Sequence, residues 1–138
     1  MHSDVLTVDE HLSQPVHREF TKRLEQITDR DFTVLDWGSG RGSDVIHLRK
    51  KGINAYGAEI STETIDRGKH LFDELALDHA SLVKVIRPDN STDYPSSFFN
   101  ALISYQVLEH VEDLASAARE MYRIMKPGIV SRGVVYES

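Results

Sequence analysis

The spacing of apolar and polar positions changes several times along the chain, and each change predicts an element. Val16, Phe20, Leu24 and Ile27 recur at four, four and three, which is one face of an amphipathic helix with Arg18, Lys22 and Arg23 outside it. Residues 1–15 show no such period and read as a lead-in, with Pro15 suited to open the helix; residues 16–138 read as one domain. FTVLD predicts a first strand. SDVIHLRKK, basic in its last turn and stopped by Gly52, predicts a short helix. INAYGAEI reads as a second strand, and Ser61 as the N-cap of a helix over 62–75 with Ile65, Leu71, Phe72 and Leu75 on its apolar face. SLVKVI predicts a third strand, and RPDNSTDYPSS, with two prolines, a loop. FFNALISY is nearly all apolar, as a central strand covered on both faces would be. A helix over 111–125 follows, with Val111, Leu114, Ala118, Met121 and Met125 at helical spacing and KPG as its stop. IVSRGVVY offers a fifth strand, interrupted by Arg132 and Gly133.

Alternating strands and helices of this length imply an α/β fold, a parallel sheet with helices on both faces. Right-handed crossovers make the sheet doubly wound, with a ligand crevice at the carboxyl ends of the strands where the winding reverses. The first strand borders that point, so the segment after it, VLDWGSGRG, lies where such folds bind ligands.

Composition narrows the class. The 138 residues suit a single domain, and 40% apolar with 28% charged residues is ordinary for a globular protein. A net charge of -6 without a basic cluster argues against a nucleic-acid partner. The absence of cysteine excludes disulfides and thiolate metal sites. His2, His11, His17, His47, His70 and His79 lack a spacing suited to a metal, and none is expected. The N-terminus lacks the apolar core of a signal peptide and no apolar run approaches the ~18 residues of a membrane span, so the cytoplasm is the expected compartment.

Candidate chemistry centres on the glycine loop. Gly38, Gly40 and Gly42 permit a sharp turn and close approach of backbone to a ligand, and the helix behind them offers free N–H groups; a tight turn without a ligand is the plainer alternative. The spacing is G-x-G-x-G, whereas dinucleotide loops read G-x-G-x-x-G, which disfavours a nicotinamide-dependent oxidoreductase. Asp36, two residues before the first glycine, is a poor neighbour for a pyrophosphate and a good one for a cation. S-adenosylmethionine carries a sulfonium and an ammonium. Glu59, at the end of the second strand, can accept hydrogen bonds from both hydroxyls of a ribose.

VLDWGSGRG, GAEIS, DYPSSFFNALISYQVLEHVED and MYRIMKPG, in this order, resemble the motifs of class I S-adenosylmethionine-dependent methyltransferases, especially the small-molecule branch similar to quinone-biosynthesis enzymes. The resemblance implies a Rossmann-like sheet of order 3-2-1-4-5 and S-adenosylmethionine as cofactor. It implies that Asp36, Trp37, Gly38, Ser39, Gly40 and Gly42 wrap the methionine half, that Glu59 holds the ribose and that Ile60 packs on the adenine. Asp89 or Asn90 is the candidate adenine contact, a solvated turn being the alternative, and Tyr105 and Gln106 sit where they can flank the cofactor, a cap on the core being the alternative for Tyr105. Asn100 stands where the family usually has an aspartate, and Ile129 where a second glycine follows KPG.

Methyl transfer is an in-line displacement for which alignment and exclusion of water supply most of the acceleration. A base is needed only when the acceptor must lose a proton. His110, in LEHVED, is the candidate; a local hydrogen bond at a helix start is its simpler role. The class I fold normally continues past strand five into a helix and an antiparallel hairpin, which this sequence lacks at Ser138. The expectation is a truncated domain, or one that borrows the missing edge, with self-association through an exposed fifth strand. The function expected is methyl transfer to a small-molecule acceptor. The competing reading is a non-catalytic S-adenosylmethionine-binding module acting as a partner domain.

Overall fold

A computed structural model of the protein describes residues 31–105, 112–127 and 134–137. The lead-in and the helix expected over 16–27 lie outside them. In chain order the elements are β1 Thr33–Trp37, α1 Ser43–Lys50, β2 Asn54–Glu59, α2 Thr62–Asp73, α3 His79–Leu82, β3 Val83–Val85, β4 Ala101–Tyr105, α4 Leu114–Ile124 and β5 Val134–Glu137. The strands form one sheet of order β3-β2-β1-β4-β5, and every pairing is parallel. This is the expected doubly wound order. The chain moves outward from β1 through β2 to β3, then returns to the other side of β1 as β4, so the winding reverses between β1 and β4.

All five residues of β1 are buried, as befits the central strand. Its side chains alternate between two cores. Val34 joins Val45, Ile46 and Leu48 of α1, Phe72 of α2 and Ile103 of β4 on one face; Leu35 and Trp37 join Phe99, Leu102 and Met121 and Ile124 of α4 on the other. Ser61 caps α2 as its sequence suggests, its Oγ accepting from the Thr64 N–H at 3.2 Å, a contact worth about 1 kcal/mol.

Three expectations are corrected. The third strand is shorter than SLVKVI, because Ser81 and Leu82 belong to the one-turn helix α3, where the Ser81 hydroxyl donates to Asp78 at 2.6 Å. Only the end of FFNALISY is strand. Asn100, the departure noted above, instead ties β1 to the exit of α4: its Oδ1 accepts from the Thr33 N–H at 2.9 Å and from Lys126 Nζ at 3.3 Å. The inward face of α4 is also rotated. Ala117, Glu120, Met121 and Ile124 are buried, whereas Ala118 is exposed and Leu114 is 51% exposed. Asp113 caps this helix by accepting from the Ser116 N–H at 3.0 Å. Glu120 faces inward because both its oxygens are hydrogen-bonded, to Arg123 and, at 2.8 and 2.7 Å, to the backbone and hydroxyl of Thr92.

Candidate functional site

The carboxyl ends of β1 and β2 carry the glycine loop and Glu59. Gly38, Gly40 and Gly42 all have positive φ, at 83°, 59° and 90°, where a side chain would be strained. The loop is pinned to the end of β2: the N–H groups of Gly38 and Ser39 both donate to the Ala58 carbonyl, at 2.7 and 3.0 Å. Gly42 closes a turn by donating to the Ser39 carbonyl at 2.9 Å and is the N-cap of α1, which has no side-chain cap.

Glu59 joins two segments. One carboxylate oxygen accepts from the Gly40 N–H and the other from the Ser61 N–H, both at 2.9 Å. Each oxygen keeps a second lone pair for another donor. Ile60, between Glu59 and the cap of α2, is 61% exposed, the apolar rim of the same strand end.

Asp36 lies beneath the loop at 4% exposure, and among the described residues none donates a hydrogen bond to its side chain. Burial raises its carboxyl well above the ordinary range, and the nearby charges of Asp44 and Glu59 push it further in the same direction. Asp44, in the first turn of α1, is itself buried. A cation placed against Asp36 would reverse the balance.

The other predicted residues separate. Trp37 turns its side chain into the core beside Leu35, and its carbonyl accepts from the buried Ser104 hydroxyl at 3.0 Å, so only its backbone belongs to the loop. The Ser39 hydroxyl is buried without a hydrogen-bond partner among the described residues and is directed at Gly57, where a Cβ would stand 2.6 Å from it. Asp89 and Asn90 follow β3. The Asp89 carboxylate accepts from the Ser91 N–H at 2.9 Å and hydroxyl at 2.6 Å, and Asn90 is buried with φ 68°. This turn docks on the start of α4, through Asn90 Nδ2 to the Asp113 carbonyl at 3.3 Å and the Ser116 hydroxyl to the Asp89 carbonyl at 2.8 Å. Tyr105 ends β4 in register with Glu137. Gln106 and His110 lie outside the described residues. No group of three potential metal ligands occurs among the described residues.

Sequence reasoning missed Asp44, Ser104 and Gly57. A glycine inside a strand is a signal for close backbone approach, and here it accommodates Ser39.

Residues 8–131 match the methyltransferase domain family. The chain belongs to that family. Among related methyltransferases, a ubiquinone/menaquinone biosynthesis C-methyltransferase of Rickettsia bellii is 29% identical over 116 residues, covering 75% of this chain and 44% of that protein. The fold is similar to that of an S-adenosylmethionine-dependent methyltransferase from Aquifex aeolicus, with a TM-score of 0.64 and 18% identity, over 89% of this chain and 69% of the other. It is also similar to the geranyl diphosphate C-methyltransferase of Streptomyces coelicolor A3(2), solved with Mg2+, geranyl diphosphate and S-adenosylhomocysteine, with a TM-score of 0.64 and 24% identity over 85% and 44% of the two chains. The chain spans less than half the length of these curated relatives.

Proposed function

We propose that this chain is the cofactor-binding core of an S-adenosylmethionine-dependent methyltransferase acting on a small molecule. The observation that carries the reading is the Asp36 carboxylate, buried beneath a glycine loop without a hydrogen-bond donor among the described residues and beside two further acids. Such a group favours a cationic ligand over an anionic one. The donor set fits S-adenosylmethionine. Asp36 and the loop at Gly38, Ser39, Gly40 and Gly42 would hold the methionine half, with Trp37 contributing backbone alone. Glu59, with one lone pair free on each oxygen, would accept from the ribose, and Ile60 would cover one face of the adenine. Asp89 or Asn90 would meet the adenine edge, and Tyr105 and Gln106 would flank the ligand.

The bound cofactor would supply an electrophilic methyl group. The chain's own part is to fix the direction of attack and exclude water. His110 is the proposed base for acceptors that must lose a proton. A small-molecule acceptor is supported by the quinone-biosynthesis and geranyl diphosphate enzymes among the relatives. The acidic balance of the chain disfavours nucleic acid as the acceptor. No helix among the described residues is long and apolar enough to cross a membrane, which supports residence in the cytoplasm. β5, at one end of the described sheet, is the proposed edge for self-association.

Calorimetric titration with S-adenosylmethionine, followed by a screen of methyl acceptors, tests the proposal. Micromolar-range binding with turnover supports it. Binding with no turnover on any acceptor would favour a cofactor-holding partner domain, and binding of NADH in place of S-adenosylmethionine would overturn both.

A further inference from the structure

The glycine loop is shaped from behind by α2, through two contacts one helical turn apart. A Cβ built on Gly68 would fall onto the carbonyl oxygen of Arg41 and lie 2.8 Å from its carbonyl carbon, so helix backbone and loop backbone touch directly. Four residues later on the same helix face, the ring of Phe72 occupies the space beside Gly42, where a Cβ would stand 2.5 Å from Cε1. That ring has no exposed surface and is backed by the His79 imidazole, with centroids 4.8 Å apart, so it cannot swing aside. Arg41 and Gly42 are therefore each set by α2. Gly40 is held by Glu59, which also holds the N–H of the residue capping that helix.

We propose that Gly68 and Phe72 are positioning residues of the cofactor site, acting through the backbone of Arg41 and Gly42 to hold the glycine loop in its binding shape before any ligand arrives. This rests on the reading that the loop seats S-adenosylmethionine. Neither residue meets the ligand. A methyl group at position 68 forces the Arg41 peptide away from the helix and carries the Gly40 N–H away from Glu59. A shorter side chain at position 72 leaves Gly42 without its backing. Misplacement of this kind at a binding site, on the scale of 1 Å, costs far more than the stability change alone suggests.

The test compares Gly68→Ala, Phe72→Leu and a control in the whole chain. The control is Gly52→Ala, which has positive φ, at 84°, and open space around it, and lies at the far end of α1. Each protein is titrated with S-adenosylhomocysteine well below its melting temperature. The amide signals and exchange rates of Gly40 and Gly42 are recorded by NMR without ligand. Gly68→Ala and Phe72→Leu are expected to weaken binding by about 10-fold or more, with Gly40 and Gly42 shifted and exchanging faster in the free protein. Gly52→Ala lowers the melting temperature and leaves affinity and loop signals unchanged. A folded Gly68→Ala protein with parental affinity and loop signals overturns the proposal. If that variant does not fold, Phe72→Leu decides in the same way. Should the unsubstituted chain bind no S-adenosylhomocysteine, the functional reading falls, while the loop amides still decide the positioning role.

Discussion

Asp36→Asn should make the ligand-free protein more stable and the cofactor bind less well. The carboxyl is buried, has no hydrogen-bond donor among the described residues and faces the charges of Asp44 and Glu59. All three circumstances oppose its charged form. A carboxyl with a raised folded pKa contributes its full stability below its ordinary value, near 3.8, and loses that contribution as pH rises through the folded value. At neutral pH the parent carries this cost and the amide does not. The cost is capped, because the carboxyl can take up a proton, and relief of such functional strain is worth about 1–2 kcal/mol. At about 2.1 cal/mol/K per residue the unfolding entropy of this chain is about 0.3 kcal/mol/K, so the melting temperature should rise by about 3–7 °C. Loss of a charge-assisted contact to the ligand, about 1.5–3 kcal/mol, should weaken S-adenosylmethionine binding by about 10- to 100-fold. Thermal melts from pH 7 down to pH 4, paired with calorimetry, read both effects. The stability gap should be widest at pH 7 and shrink on acidification. A variant no more stable than the parent at pH 7, or a gap that does not change with pH, would refute the reasoning.

Glu59→Ala removes the acceptor for two backbone N–H groups as well as the proposed ribose contact, and should weaken cofactor binding by about 100-fold or more; unchanged affinity by calorimetry would sink the assignment. Glu120→Ala should lower stability by about 2–3 kcal/mol, since it strips Thr92 and Arg123 of their partner, while leaving cofactor affinity intact. Burial works to raise the Glu120 carboxyl, but hydrogen bonds from Arg123 and Thr92 outweigh it and hold it below its ordinary 4.5. Its contribution is thus present above that pH and lost on acidification, so denaturant melts of the Ala variant should show a flatter acid limb. Burial, then Lys69, lowers the His79 imidazole, against the opposing pull of Asp73, Asp66 and Asp78. The stability it contributes is complete above about 6.5 and falls as pH drops through the lowered value, a loss His79→Phe should not share in melts between pH 7.5 and 5.

The legible parts of this fold are those fixed by nearby residues. Gly38, Gly40 and Gly42, the Ser61 cap and the run of β1 each announce themselves within a few positions, and the strand-helix alternation then leaves little choice of sheet order. What stayed hidden depends on partners far along the chain. Glu120 reads as a surface residue until Thr92, 28 positions earlier, supplies its donors, and the face of α4 turns accordingly. Gly68 reads as an accident in a helix until Arg41 lies against it. Trp37 is different: alternation along β1 places it with Leu35 on the core side, and its position in the loop motif obscured a signal that was there.

The Glu59 carboxylate spans from the first crossover to the second, touching Gly40 on one side and Ser61 on the other. Aspartate would offer the same two oxygens to a ribose, yet it is one methylene shorter and cannot keep both backbone contacts from the same strand end. The choice of acid at this position is therefore dictated by the distance between two peptide groups, and a Glu59→Asp protein should betray itself in the free state, before any nucleoside is offered.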